Sequence, residues 1–121
     1  MSKICTDLKQ SRKLVELGLD HNTADMMYLY WINSETKQEG IEDIPTVREE
    51  LPIQKGDVPA WSLTALLKLM PSRIDGSYTK LTKLHEYGWC IEGHQKVGEP
   101  VDVAFEMVVW LIENRFIKKT I

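Results

Sequence analysis

Apolar residues along this chain fall into short runs whose spacing predicts the elements. Residues 7–17, DLKQSRKLVEL, place Leu8, Leu14, Val15 and Leu17 at helical intervals. Thr6 is the expected N-cap, and Asp7 favours the positive end of the helix. Gly18 stands where a left-handed residue ends a helix, so Leu19 is placed to fold back onto the last turn. In the stretch that follows, Asn22 and Asp25 fit the N-cap and N3 positions of a capping box, which predicts a short turn from Thr23. MMYLYWI, residues 26–32, is rich in aromatic and large apolar residues and too short for a comfortable helix, so it reads as a strand.

Residues 33–58 contain Gly40, Pro45, Pro52 and Gly56 and no sustained period. They predict a long loop with a short edge strand near Ile41 to Val47. In VPAWSLTALLKLMPS, Ser62 is a natural N-cap, Leu63, Leu66, Leu67 and Met70 form one stripe, and Pro71 stops the helix. Trp61 can staple against Leu66. Residues 78–92 read as two strands joined near Tyr87–Gly88, and GHQKVGEP, residues 93–100, as a loop. A helix from Pro100 closes the chain, its apolar positions (Val101, Ala104, Phe105, Val108, Leu111, Ile112) widened by Met107, Val109 and Trp110, so more than one side is covered. The sum is a single α+β domain over residues 1–121, with about three helices packed on a small, mostly antiparallel sheet.

Composition agrees with that picture. A chain of 121 residues, 43% hydrophobic and 27% charged, is long enough for one core without a metal or disulfide staple. Cys5 and Cys90 have no framework spacing, so reduced thiols in a cytoplasmic protein are expected. MSKICTDLKQ has no apolar signal core, and Val101 to Ile112 is too short and too polar to span a bilayer. Charge is segregated. Of 18 acids and 15 bases, residues 34–58 hold seven acids (Glu35, Glu39, Glu42, Asp43, Glu49, Glu50, Asp57) and three bases (Lys37, Arg48, Lys55), a net of −4 against +1 elsewhere. No broad basic face is visible, and Lys80, Lys83, Arg115, Lys118 and Lys119 would make at most a small patch, which argues against nucleic-acid binding.

Candidate chemistry is thin. Asp20, His21, Asn22, Thr23 and Asp25 lie between two apolar runs, but counting a calcium loop from Asp20 puts Ala24, Asp25 and Trp31 at its decisive positions. Those residues are better explained as caps and turns. His85, Cys90 and His94 could meet on a hairpin and ligate zinc, yet their spacing matches no structural zinc pattern. There is no GxSxG, no phosphate-binding loop and no GxGxxG, so no catalytic residue and no cofactor are assigned.

Three segments, KLVELGLDHNTADM, DVPAWSLTALLKLMP and AFEMVVWLIENRFIKK, together resemble short uncharacterised proteins of phages, prophages and mobile elements of gut Bacteroides-type bacteria. The resemblance covers about half the chain and implies a bacterial cytoplasmic setting and an accessory role, with no activity or site to carry over. One departure is Arg115, where such sequences often have glycine; an arginine there is strained if the backbone is left-handed.

Two functional readings follow. The first is a non-enzymatic interaction module for an unknown protein partner, with a homo-oligomer as one form. It is motivated by the absent catalytic constellation, the acidic loop and the abundance of Trp, Tyr and Met. The alternative is a small enzyme or ligand- or metal-binding domain using His21, Asp25, His85, Cys90 and His94, which requires at least two of them to converge.

Overall fold

Helix α1 (Leu8–Glu16) begins one residue later than the apolar pattern suggests, because Asp7 and not Thr6 is the N-cap. Asp7 Oδ1 accepts from the Gln10 amide at 2.8 Å, and the Asp7 amide donates back to Gln10 Oε1 at 3.1 Å. That box satisfies two orphan amides at once. Thr6 is thereby released for tertiary work: its buried hydroxyl meets Ser11 Oγ at 2.8 Å and accepts from the Trp61 amide at 3.1 Å. At the other end Gly18 is left-handed, with φ 90. The Gly18 amide reaches the Val15 carbonyl and the Leu19 amide the Leu14 carbonyl, closing the turn as the sequence predicts.

The computed structural model of the chain describes residues 3–48, 53–71, 73–74, 77–78, 81–85, 88–91 and 94–117, with side chains described for 3–48, 53–71 and 98–117. A 3-10 turn at His21–Thr23 follows α1; its cap is Asp20, whose carboxylate accepts the Asn22 amide, so the expected Asn22–Asp25 box does not form. Ten short strands are found among the described residues, in chain order. They are β1 (Met26–Tyr28), β2 (Tyr30–Ile32), β3 (Glu39–Ile41), β4 (Thr46–Val47), β5 (Val58–Ala60), β6 (Arg73–Ile74), β7 (Ser77–Tyr78), β8 (Leu81–His85), β9 (Gly88–Ile91) and β10 (His94–Gly98). Helix α2 (Leu63–Leu69) stands between β5 and β6, and α3 (Pro100–Glu113) follows β10.

The class is α+β: three helices with small antiparallel sheets among the described residues. The strands divide into separate groups, β4-β1-β5, β10-β9-β8, β2-β3 and β6-β7, instead of forming one sheet. Two expectations need correction. Residues 93–100 contain β10, which pairs with β9 and lies against α3; it is held by its neighbours and carries no alternating pattern of its own. The stretch 33–58 is also more ordered than a loop with one short edge strand, for it supplies two strands, β3 and β4, which overlap the two ends of the strand expected near Ile41 to Val47, and the first residue of β5. Its mostly exposed residues hide the period-2 signal, and pairing with the strongly β-prone MMYLYWI run supplies the order.

Helix α3 is the spine. Eight of its 14 residues are buried, including Val103, Met107, Val108, Leu111 and Ile112. It packs on α2 and on β9 and β10, so it is covered on more than one side. Trp61 is fully buried in the same cluster as Leu66, and Ser62 caps α2 by accepting the Ala65 amide. That helix ends at an extended Met70 because the residue before Pro71 is pushed out of the helical region. A second, smaller cluster gathers Cys5, Met26, Tyr28 and Ala60 beneath β1.

Candidate interaction surface

The polar stretch Asp20–Asp25 turns out to be the root of a hairpin. Arg48 donates its guanidinium to the carbonyls of His21 at 2.8 Å and Ala24 at 3.1 Å, and to Asn22 Oδ1 at 3.3 Å. The Thr23 hydroxyl donates to the Asp20 carbonyl at 2.6 Å and accepts from Trp61 Nε1 at 2.9 Å. Asp25 is fully employed as well. One carboxylate oxygen accepts the Ser62 amide at 2.8 Å and the other accepts the Ser62 hydroxyl, which in turn caps α2. His21 itself is exposed on the turn. Apart from the exposed His21, these groups are engaged in holding the turn, β5 and α2 together.

From this root, residues 25–48 form one bent antiparallel hairpin. Near its tip Tyr30 pairs with Ile41, Trp31 with Gly40 and Ile32 with Glu39. The Glu42 amide continues the ladder to the Leu29 carbonyl. Beyond that point Met27 faces Thr46 and Met26 faces Val47, and the Arg48 amide reaches the Asp25 carbonyl. Between the Leu29–Glu42 and Met27–Thr46 rungs the outgoing strand spends only Tyr28, while the return strand spends Asp43, Ile44 and Pro45. The return strand therefore carries a bulge, which bends the hairpin and turns a side chain outward. That side chain is Ile44, 77% exposed.

The outgoing strand is anchored on its other side. β1 pairs with β5, the Tyr30 amide donates to Asp57 Oδ1 at 2.8 Å, and the Tyr30 ring lies on Gly56, whose φ is +95. The Tyr30 hydroxyl donates to Glu39, and that bond raises its pKa. The return strand is thus the outer edge. Large apolar groups stand exposed along the hairpin: Trp31 and Ile32 near the tip, Ile44 in the bulge and Val47 near the root. Trp31 reaches the outer edge because its indole lies across Gly40, where an added Cβ would come within 2.8 Å of the ring. Around these groups the charge is one-sided. Residues 38–47 contain Glu39, Glu42 and Asp43 and no base, and all three acids are exposed. Trp31, Ile44 and Arg48 were not singled out by sequence reasoning; a glycine facing a tryptophan across a hairpin was the available signal for the first.

A concavity lies between α1 and α3, a groove of about 870 Å³ with Leu8, Phe105 and Val109 among its lining residues. Its charges cancel: Lys9, Arg12 and Lys13 are matched by Asp7, Glu16 and Glu106. Nearby, Lys3 Nζ bridges Asp7 at 3.1 Å and Asp102 at 2.8 Å, and Gln10 Nε2 also donates to Asp102, tying α1 to the first turn of α3. Desolvation would lower the Lys3 pKa, but hydrogen bonds to Asp102 and Asp7 outweigh it, and the ammonium is held above its ordinary value.

Among the described residues the remaining candidates do not assemble a site. Cys5 is buried, which pushes its thiol pKa up, and its sulfur lies 3.8 Å from Tyr28 Oη, whose hydroxyl donates to the Thr6 carbonyl. Such a thiol is unreactive. His85, Cys90 and His94 fall on β8, β9 and β10, where side chains lie outside the described residues, as do those of Lys80, Lys83, Lys118 and Lys119. Among the described residues no three His, Cys, Asp or Glu side chains are placed to hold a metal ion, and no helix is long and apolar enough to cross a membrane. Compared with known proteins, the chain matches no family model, no characterised protein and no solved structure.

Proposed function

We propose that this chain is a non-enzymatic protein-interaction module that docks through the outer edge of its hairpin. One observation carries the reading: large apolar groups stand exposed on both strands of the hairpin, Trp31 on the outgoing strand, seated on Gly40, and Ile44, in the bulge, and Val47 on the return strand. Tryptophan is among the residue types that dominate binding energy, and an anchor fixed before binding costs less entropy on contact. A cluster of large apolar groups ringed by charge is also the usual signature of a docking surface. The resemblance to phage and mobile-element proteins supports an accessory role in that setting, and it makes phage-encoded and host proteins the first partners to try.

The test is affinity capture from phage-infected bacteria of that type, with crosslinks mapped by mass spectrometry. A partner crosslinked within residues 31–47, and lost with Trp31→Ser/Ile44→Ser at unchanged melting temperature, is the expected outcome. Partners retained equally by the variant would end the reading. Metal content of natively purified protein tests the rival: stoichiometric zinc would bring His85, Cys90 and His94 forward.

A further inference from the structure

From the same surface we infer that the partner presents a cationic, apolar-bearing protein segment, an inference that rests on the docking role proposed above. Three features point to it. First, the apolar anchors are interleaved with acids of one sign: Glu39 precedes Gly40, and Glu42 and Asp43 directly precede Ile44. Charges beside an apolar contact select partners by making like-charged ones costly to approach. Second, the bases that flank residues 38–47 lie outside the stretch that carries Glu42, Asp43 and Ile44. Arg48 is turned inward onto the His21 and Ala24 carbonyls, and Lys37 sits in the tip turn with φ 64. Nothing cationic within residues 38–47 neutralises the acids from the partner's side of the strand.

Third, the bulge and Pro45 make simple strand addition a poor mode of contact. A bulge interrupts the ladder and proline lacks an amide donor, the devices by which exposed edges avoid pairing with other chains. Contact must then run through side chains, apolar groups onto Trp31 and Ile44 and cations onto Glu42 and Asp43. The α1–α3 groove carries no such selection, since its lining charges cancel.

The experiment is titration of the intact, nitrogen-labelled protein followed by amide chemical shifts. Three probes of equal length are used: an amphipathic Leu/Lys peptide, its Leu/Glu counterpart and a Ser/Lys peptide. The Leu/Lys peptide is expected to shift amides of residues 31–47, with affinity falling at least tenfold between about 50 and 500 mM salt. The Ser/Lys peptide binds the same region at least tenfold more weakly, and the Leu/Glu peptide does not bind. Glu42→Gln/Asp43→Asn removes most of the salt dependence, while Glu16→Gln/Glu113→Gln leaves it intact. Equal binding of the Leu/Lys and Leu/Glu peptides at 31–47 would overturn the charge selection and leave the docking surface standing. Leu/Lys shifts centred on α1 and α3, or no shifts at all, would overturn the inference outright. Unchanged Leu/Lys affinity in Trp31→Ser/Ile44→Ser would remove the docking surface too.

Discussion

The end of α3 stores strain that a single substitution should release. The Arg115 amide donates to the Ile112 carbonyl at 3.1 Å and the Phe116 amide to the Leu111 carbonyl at 2.8 Å. Those two bonds define the same closing motif as at Gly18, and they require a left-handed residue at position 115. Arg115 has φ 65. For a residue with a Cβ that conformation costs about 1–2 kcal/mol. Glycine avoids the clash but gives back about 0.5–1 kcal/mol through the greater freedom of the unfolded chain. Arg115→Gly should therefore stabilise by about 0.5–1 kcal/mol. With an unfolding entropy of about 2.1 cal/mol/K per residue, the chain changes stability by roughly 0.25 kcal/mol per degree near its midpoint, so the melting temperature rises by about 2–4 °C. Differential scanning calorimetry reads this directly. Arg115→Ala is the control: it removes the guanidinium and keeps the Cβ, so no rise is expected. A rise in the alanine variant matching that in the glycine variant would locate the cost in the charge and refute the backbone argument. No rise in the glycine variant would refute it equally.

Two further substitutions probe the hairpin's support and the α1 cap. Gly56→Ala puts a Cβ within 2.7 Å of the Tyr30 ring at a φ of +95, so both backbone and ring must yield. A loss of about 2 kcal/mol, or roughly 8 °C, is expected in a thermal melt; a loss below about 0.5 kcal/mol would show that the turn relaxes freely. Asp7 is partly desolvated, which opposes its ionisation, but the Gln10 amide and Lys3 outweigh this and hold its carboxyl below the ordinary value. A depressed carboxyl contributes stability above its unfolded pKa and loses it as pH falls through the folded one. Asp7→Asn keeps the cap, so the melting-temperature gap to wild type should be open at pH 7, narrow below pH about 4 and close on further acidification. A gap that widens in acid would contradict the assignment.

Local chemistry decided which parts of this fold were readable in advance. Gly18, Ser62 and Pro100 mark helix ends through steric and hydrogen-bonding rules that act within a few residues, and the structure follows them. Where two residues compete for one cap the sequence is ambiguous. Asp7 displaced Thr6 because Gln10 lies three residues on and completes the box, while Thr6 is drawn to Ser11 and Trp61, 55 residues away. The strand residues 94–98 were not legible as a strand, since their order is supplied by a distant partner and not by their own periodicity, whereas the edge strand expected near Ile41 to Val47 is present as the end of β3 and β4. The same limit explains why Arg48 went unnoticed. Its role depends on a turn 24–27 residues earlier in the chain. The acidic character of 34–58 was plain, but the distinction between acids that build the fold, such as Asp57, and acids that decorate an edge, such as Glu42 and Asp43, needed the hairpin's register.

That distinction also separates stability from display. The larger core gathers around α3 and draws Leu14, Trp61 and Leu66 into it. The hairpin rests on the smaller cluster beneath β1, where Met26 and Tyr28 point into a buried setting and the Thr6–Ser11–Trp61 bonds stitch the two cores together. Three polar side chains of the hairpin root are committed inward: Arg48 to three acceptors, Asp25 to Ser62, Thr23 to Trp61. The outer strand shows the reverse. Ile44 and Val47 are 77% and 60% exposed, so truncating either removes little buried apolar surface. A surface that contributes so little to folding, yet is braced by so many bonds behind it, is the arrangement a rigid docking edge requires, because a mobile edge would lose on contact the entropy that the bracing has already removed.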